Sequence, residues 1–266
     1  MKKTLLATLM IALLAGCAAP GPRIDHSLTA KAQSSRVKFI IVHYTVSNLP
    51  GSIRTLTQEG VSAHYLLTDE AAPRAYALVD ETRQANHAGV SNWKNYTLLN
   101  SSSIGIEIVN PGFTTDANGV RTWYPFPQAQ MDQLILLLKD LVAKHHVPPE
   151  NILGHSDIAP GRKQDPGPMF PWFQLAQAGL IVWPDAARVT AVRPQFDAAL
   201  PDVAWFQKRL AQWGYATPQT GELDQATRNV LTSFQMKYRP AIIDGTPDAE
   251  TAALLDVLTT PAPKAP

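Results

Sequence analysis

Two short stretches of the chain carry side chains that could bind a metal ion or activate water. His43 lies near the end of the apolar run 37–44, where a histidine is either a metal ligand or a hydrogen-bonded core residue. The segment 154–167, GHSDIAPGRKQDPG, places one His, two Asp, an Arg and a Lys between glycines and prolines. Because such a loop has little to pack into a core and rigid loops often display functional groups, its composition favours a site over a solvated surface.

Glu107 is a third candidate, since it is the only charged residue in the strand-like run 103–109. Side chains alternate along a strand, so Glu107 is predicted to face away from the three isoleucines of this run. A carboxylate in such a strand is either paired in a structural salt bridge or has a raised pKa, which suits a general base near neutral pH. The sequence leaves both roles open.

Two other hydrolytic chemistries are disfavoured. The run 154–158 is similar to the nucleophile elbow of serine hydrolases, but it ends in Ile158 where that motif has glycine, so we exclude Ser156 as a nucleophile. Cys17 is the only cysteine, which excludes an intrachain disulfide and leaves no thiolate for metal binding or catalysis in the rest of the chain. A metal site must therefore use His, Asp and Glu.

Alternating strands and helices must position these side chains. Apolar or alternating runs predict strands at 37–44, 62–68, 75–79, 103–109 and 151–153. Apolar residues at helical spacing predict a long helix over 127–146 and a short one over 172–178. This mixture over about one domain length predicts an α/β catalytic domain at residues 37–185.

The rest of the chain is smaller and helical. Residues 186–202 carry two prolines and weak periodicity, and we predict a linker there. Three apolar stripes in residues 203–258 predict an all-α three-helix domain, and acidic or threonine N-cap residues precede two of the helices. The proline-rich tail 259–266 is expected to be disordered.

The N-terminus has the features of an export signal. Two lysines, the apolar run 5–14 and Leu-Ala-Gly before Cys17 resemble a bacterial lipoprotein signal peptide over residues 1–16. The apolar run is too short to span a bilayer as a permanent helix. A plain secretory signal with an incidental cysteine is the other interpretation. We favour lipidation of Cys17, because this cysteine lies where cleavage after small residues is expected.

The chain after the signal peptide starts with a polar stretch, residues 17–36, which is predicted to be a tether. Ala18 follows the cysteine instead of the aspartate linked with inner-membrane retention, so the resemblance implies an outer-membrane lipoprotein facing the periplasm of a Gram-negative bacterium. Loss of the two leader lysines changes the formal net charge from +1 to −1. A nearly neutral protein lacks the basic surface of a nucleic-acid binder, and we exclude that class.

Taken together, these motifs resemble the zinc-dependent N-acetylmuramoyl-L-alanine amidase family, which includes AmpD-type amidases, phage lysozyme-amidases and peptidoglycan recognition proteins. The matching motifs are His43, SAHY at 62–65, HAG at 87–89, SIGIE at 103–107, and His155 through DPG at 165–167. The signal peptide and the C-terminal segment, which resembles a peptidoglycan-binding module, make the chain most similar to lipoprotein members. The resemblance covers residues 37 to about 258. It implies a mixed central sheet flanked by helices, with the three-helix domain behind it.

The resemblance also implies roles for individual residues. His43, His155 and Asp165 match the family's Zn²⁺ ligands, and two imidazoles with one carboxylate leave a fourth position for water. Glu107 matches the catalytic glutamate, which would deprotonate the water. Lys163 matches the lysine that would stabilise the oxyanion of the intermediate.

Further residues are weaker candidates. The candidate substrate-binding residues are Tyr44, His64, His87, Trp93 and Arg162. For His64 and His87 a hydrogen-bonding role in the core stays open, and Arg162 could either clamp a peptide carboxylate or be solvated. Asp157 competes with Asp165 as a ligand, and we prefer Asp165 because it matches the family motif and precedes Pro-Gly.

The family resemblance implies hydrolysis of the amide between N-acetylmuramic acid and L-alanine in peptidoglycan and muropeptides. The C-terminal module would raise the local concentration of this insoluble substrate. A non-catalytic peptidoglycan-binding lipoprotein is the alternative, although such relatives often lack a zinc ligand and all three are present here. A purely structural tether would leave the loop 154–167 unexplained. We expect a monomer whose partners are peptidoglycan, muropeptides and, through the lipid on Cys17, the membrane.

Overall fold

A computed structural model of the chain describes residues 21–261. Residues 21–34 form a unit without helix or strand, and residues 35–261 belong to a second unit. The predicted signal peptide, Cys17 and residues 262–266 of the predicted disordered tail lie outside the described residues. Within the described part of the chain, none of the helices has both the length and the hydrophobicity that a bilayer span needs.

A five-stranded mixed sheet forms the centre of the second unit, as the resemblance implied. The strands in chain order are β1 (Phe39–Tyr44), β2 (Tyr65–Leu67), β3 (Ala75–Ala77), β4 (Asn92–Trp93), β5 (Tyr96–Thr97), β6 (Ser103–Ile108), β7 (Phe113–Thr115), β8 (Arg121–Trp123) and β9 (Ile152–Gly154). The sheet order is β3-β2-β6-β1-β9, and the other four strands form two hairpins. Strands β2, β6, β1 and β9 are parallel, whereas β3 is antiparallel to β2. The central strand β1 is buried along its whole length, which explains its continuous apolar run.

Helices cover both faces of this sheet. In chain order they are α1 (Leu49–Gln58), α2 (Gln128–His145), the single turn α3 (His155–Ile158), α4 (Trp172–Gln177), α5 (Ala186–Ala198), α6 (Val203–Trp213), α7 (Gln225–Tyr238) and α8 (Ala249–Thr259). The isoleucines of β6 and the even-numbered residues Ile40 and Val42 of β1 pack against the apolar stripe of α2. This contact confirms both the predicted long helix and the predicted alternation in β6.

The opposite face of the sheet is covered by the C-terminal helices. Phe39 and Ile41 of β1 and Leu153 of β9 share one hydrophobic cluster with Phe206 of α6 and Phe234 of α7. Helices α6, α7 and α8 are the three predicted C-terminal helices, and each begins at an aspartate whose carboxylate accepts a hydrogen bond from a first-turn N–H group. One continuous core therefore joins two regions that the sequence suggested were separate domains.

The prediction of a linker at 186–202 was wrong for most of that segment. Helix α5 occupies its first thirteen residues, and the Asp185 carboxylate caps the helix by accepting from the N–H of Arg188. Phe196 of α5 is buried in the shared core, with its ring centroid 5.5 Å from that of Trp205. Tertiary packing therefore stabilises a helix whose sequence carries little amphipathic signal.

The predicted tether also ends earlier than residue 36. Arg36 belongs to the folded unit, because its Nε donates to the carbonyl oxygen of Glu81 at 2.8 Å and its Nη1 donates to that of Ser101 at 3.0 Å. The hydroxyl of Ser35 likewise lies 2.8 Å from His145 Nδ1. These contacts fix the start of the folded unit one or two residues before the predicted boundary.

Candidate metal centre and active site

The candidate site lies at the carboxyl ends of three neighbouring parallel strands. Strand β1 lies between β6 and β9, and His43 of β1 pairs in register with Glu107 of β6. On the other side, Val42 pairs with Gly154, so His155 begins the turn that directly follows β9. Parallel pairing therefore brings together three polar residues that are far apart in sequence, at the sheet edge where α/β proteins commonly bind ligands.

Three potential metal ligands converge there. His43 Nδ1 lies 2.9 Å from His155 Nδ1 and 2.9 Å from Asp165 Oδ2, and His155 Nδ1 lies 3.1 Å from the same carboxylate oxygen. Ligand atoms around tetrahedral zinc, at bond lengths of about 2.0–2.1 Å, lie about 3.3 Å apart. All three residues are buried, and together they form a group that can hold a metal ion. The donor set and its spacing therefore fit zinc.

Hydrogen bonding fixes which nitrogen of His155 faces this centre. Its Nε2 lies 3.1 Å from the carbonyl oxygen of Ala88. Because a carbonyl oxygen can only accept, Nε2 carries the hydrogen and the Nδ1 lone pair points toward the other two ligands. The surrounding backbone therefore prepares His155 for metal binding.

A chain of hydrogen bonds fixes His43 in the same way. The hydroxyl of Ser103 donates to the carbonyl oxygen of Leu99 at 2.6 Å, so it must accept from His87 Nε2, 3.1 Å away. His87 Nδ1 is then an acceptor, and His43 Nε2 donates to it over 3.0 Å. This direction of donation leaves the Nδ1 lone pair of His43 free for a metal. His87, a candidate substrate contact, thus also orients a candidate ligand.

The electrostatics of the centre favour a neutral His43 beside an ionised Asp165. Burial, and next the proximity of His155, lowers the pKa of His43 from 6.5 to about 4. Burial alone would raise the pKa of Asp165, but the two histidines hold it well below its usual range. These are the protonation states in which His43 and Asp165 can bind a cation.

Unlike Asp165, which pairs with His43 and His155, Glu107 forms no ion pair with another of the described residues. Its Oε2 is buried and has no hydrogen-bond partner among residues 21–261, although buried carboxylate oxygens usually have one. Burial, and then the charge of Asp165, raises the pKa of Glu107 well above its ordinary value of 4.5, and Lys163 opposes this only in part. A carboxylate with a raised pKa in a cleft is typical of a general acid or base.

These residues line a cleft of about 230 Å³, together with Tyr44 and the exposed Lys163. Much of the remaining wall comes from the loop after β1 and from α1, neither of which we predicted to contribute. This wall contains Thr45, Val46, Ser47, Ser52, Thr55 and Leu56. Asn48 caps α1 by accepting from the N–H of Gly51, with Pro50 in the first turn. This N-terminal signature is visible in the sequence and could have revealed the helix.

His64 and Trp93 are two of the sequence candidates that lie outside the cleft, and both are packed into the interior of the protein. His64 is fully buried; its Nδ1 accepts from the N–H of Gly105 at 3.0 Å, and its Nε2 donates to the carbonyl oxygen of Arg83 at 3.1 Å. Trp93 is 1% exposed, and its ring centroid lies 4.9 Å from that of Tyr215 in the shared core. Both residues therefore have structural roles in this fold.

Arg162 and Asp157 are committed to protein contacts. One terminal nitrogen of Arg162, Nη2, donates to the carbonyl oxygens of Ala88 and Val90 at 2.7 Å each. Arg162 therefore holds the loop whose Ala88 carbonyl oxygen accepts the hydrogen bond from His155 Nε2. Asp157 is fully buried and does not belong to the group of convergent ligands. Of the two competing aspartates, only Asp165 lies in the described group of side chains that could hold a metal ion.

Comparison with known proteins agrees with this geometry. The model of the N-acetylmuramoyl-L-alanine amidase family matches residues 33–168, and that of a peptidoglycan binding domain matches residues 200–255. N-acetylmuramoyl-L-alanine amidase AmiD of Escherichia coli is 42% identical over 260 residues, which cover 92% of this chain and 93% of the relative.

Solved structures show the same similarity. The complex of E. coli AmiD with the substrate anhydro-N-acetylmuramic acid-L-Ala-D-γ-Glu-L-Lys superposes with a TM-score of 0.80 at 41% identity, covering 90% of this chain and 94% of AmiD. AmpDh3 of Pseudomonas aeruginosa, in complex with anhydromuramic pentapeptide, gives a TM-score of 0.82 at 38% identity, covering 88% and 96% of the two chains. The chain therefore belongs to the N-acetylmuramoyl-L-alanine amidase family.

Proposed function

We propose that this chain is a zinc-dependent enzyme that hydrolyses the amide bond between N-acetylmuramic acid and L-alanine in peptidoglycan and muropeptides. The observation that carries this proposal is the group of three buried, convergent ligands beside the unpartnered carboxylate oxygen of Glu107. The two similar enzymes with bound anhydromuramic peptides support muropeptides as the substrate class.

In this proposal His43, His155 and Asp165 would hold Zn²⁺, with two imidazole nitrogens and one carboxylate oxygen as the donor groups. When bound, zinc would act as a Lewis acid and would lower the pKa of a coordinated water molecule to about 7. The hydrogen bonds from His43 to His87 and from His155 to Ala88 keep both rings in the tautomer that binds metal. All three ligand side chains are buried, and they line the wall of the cleft that would admit the substrate.

Glu107 and Lys163 then divide the remaining chemistry. Glu107 accepts a proton from the attacking water, because its raised pKa makes the carboxylate a stronger base than an exposed one. It returns that proton to the leaving nitrogen of L-alanine. The ammonium of Lys163, at the wall of the same cleft, stabilises the negative charge that develops on the carbonyl oxygen of the substrate.

We also propose that the enzyme is a monomeric lipoprotein of the outer membrane, anchored through Cys17 and facing the periplasm. This part of the proposal rests on the lipoprotein-like sequence around Cys17, which lies outside the described residues. Membrane fractionation of wild type and C17S tests it. Release of C17S from the membrane fraction is expected, and equal membrane association of both forms would contradict lipid anchoring.

The central experiment incubates the protein from residue 18 onward with purified muropeptides and with murein sacculi. Mass spectrometry should detect free stem peptides that begin with L-alanine. Chelation should stop their release, and added Zn²⁺ should restore it. D165A should lose both zinc and activity, whereas D140A, which changes an exposed aspartate on α2, should keep both. Tight binding of intact muropeptides without cleavage would instead favour the recognition protein considered above.

A further inference from the structure

A buried ion pair connects the C-terminal helices to the turn that carries His155. Lys237 Nζ of α7 lies 2.9 Å from Asp157 Oδ2 of α3. The hydroxyl of Tyr215, two residues after α6, donates to the other carboxylate oxygen, Asp157 Oδ1, at 2.5 Å. All three side chains are buried, with exposures of 0% for Asp157, 3% for Tyr215 and 5% for Lys237.

The environment of Lys237 is specific for its charge. Its ammonium also lies 3.3 Å from the carbonyl oxygen of Ile152 and 4.2 Å from the ring centroid of Trp172, so a carboxylate, a carbonyl and an aromatic face surround it. Lysine is almost never fully buried unless it is paired. Replacing a buried ion pair with apolar residues of similar size is often neutral for stability. Such a pair is therefore weak evidence for stability, and the groups that it positions indicate its role.

Asp157 transmits this contact to the metal centre. Its Oδ2 also accepts from the N–H of Gly154 at 2.8 Å, which closes the start of the turn whose first residue is His155. In the same turn, the N–H of Ser156 donates to the backbone carbonyl oxygen of Asp165 at 2.9 Å. The turn α3 thus provides the candidate ligand His155 and hydrogen-bonds to the backbone of the candidate ligand Asp165. Asp157, itself a residue of α3, stabilises this turn.

A second contact places α7 against the same segment. Gly161 has a positive φ of +76°, and a Cβ atom at this position would lie 2.1 Å from Asn229 Nδ2 of α7. Helix α7 therefore packs closely on the loop next to Lys163, in addition to its buried contact with Asp157. The C-terminal helices therefore contact the segment 154–165 at two positions, Asp157 and Gly161.

We propose that Lys237 and Tyr215 are positioning residues of the metal centre: they hold Asp157, and through it α3, so that His155 and Asp165 keep the spacing that zinc requires. The helices that resemble a peptidoglycan-binding module are then also part of the structure that retains the metal. This inference rests on the proposed function, because it takes zinc as the ion at His43, His155 and Asp165.

The test measures zinc affinity directly, by competition with a chromophoric chelator, in Y215F and K237M of the otherwise unchanged protein. Outer contacts of metal ligands typically contribute about 10- to 100-fold to affinity, and we expect each substitution to raise the dissociation constant for zinc about tenfold. At saturating zinc, kcat and KM should return to near wild-type values, because neither residue touches the substrate cleft. Y215F removes a single oxygen atom, so it decides the question alone if K237M does not fold.

Two controls separate positioning from general destabilisation. Y238F removes the hydroxyl of Tyr238, the buried neighbour of Lys237 in sequence. No hydrogen bond between this hydroxyl and Asp157 is seen among the described residues, so Y238F should bind zinc like wild type. L255A creates a cavity in the shared core and should lower Tm without changing the zinc dissociation constant. Wild-type zinc affinity in both Y215F and K237M would overturn the inference, and so would an equal loss of affinity in L255A at a similar decrease in Tm. If wild type itself bound no zinc, the proposed function would fail together with this inference.

Discussion

Replacing Glu107 with glutamine separates catalysis from metal binding at this centre. Glutamine has nearly the same shape, but it cannot accept and return a proton. Loss of a general base typically lowers turnover by about 10²- to 10⁴-fold. Glu107 is not one of the three convergent ligands, so zinc content should remain at one ion per chain. E107Q should therefore be a folded, zinc-loaded protein with very little activity.

The same substitution should stabilise the metal-free protein at neutral pH. The pKa of Glu107 is about 4.5 in the unfolded state and well above 4.5 in the folded state. At a pH between the unfolded and the folded pKa, the folded state therefore binds more protons than the unfolded state. Stability consequently falls as pH rises through this window, and the full cost remains at higher pH. Each pKa unit by which folding raises the pKa of Glu107 costs about 1.4 kcal/mol of stability. For a folded region of this length, that cost corresponds to a decrease of roughly 3–6 °C in Tm. Glutamine cannot ionise and avoids this cost.

The assay compares metal-free wild type and E107Q by thermal denaturation from pH 4.5 to pH 8. The Tm of E107Q should exceed that of wild type at pH 8, and the difference should shrink toward pH 4.5. E222Q, which changes an exposed glutamate, should follow wild type at every pH. Equal Tm values for wild type and E107Q at pH 8, or undiminished turnover by E107Q, would refute the assigned state and role of Glu107.

Three further predictions concern Lys163, His43 and the buried apolar stripe of α2. K163M should lower kcat about 10²- to 10³-fold with zinc content unchanged, as expected for loss of an oxyanion donor. K139M, which changes an exposed lysine on α2, should leave kcat unchanged. Similar kcat values for the two variants would remove Lys163 from the mechanism. The pKa of His43 falls from 6.5 unfolded to about 4 folded, so metal-free wild type should lose about 3 kcal/mol as pH falls through this window. Urea titrations at pH 7.5 and 4.5 should show a loss that is larger by about this amount in wild type than in H43Q, because the buried His64 and His87 contribute to the loss in both proteins. L138A, in the fully buried stripe of α2, should cost about 2–5 kcal/mol in urea unfolding, whereas L136A at an exposed position should change stability by less than about 0.5 kcal/mol.

The sequence alone determined the elements and the chemical groups of the site. Continuous apolar residues predicted β1, alternation placed Glu107 opposite the three isoleucines of β6, and helical spacing predicted α2 to within a residue at each end. These features were predictable because each depends on the local period of a strand or a helix, which is about 2 or 3.6 residues. Helix α1 also carried a local signal, the Asn48 cap, although we did not use it.

Only the tertiary structure distinguished the two aspartates by geometry. In the sequence Asp157 is nearer to His155, and the two carboxylates are chemically alike. In the folded protein Asp157 is held by Tyr215 and Lys237, which are 58 and 80 residues away in sequence, while the loop returns Asp165 to the histidines. The same long-range packing produces α5 and joins the C-terminal helices to the sheet. No local period encodes such contacts, because they depend on which surfaces meet after the chain has folded.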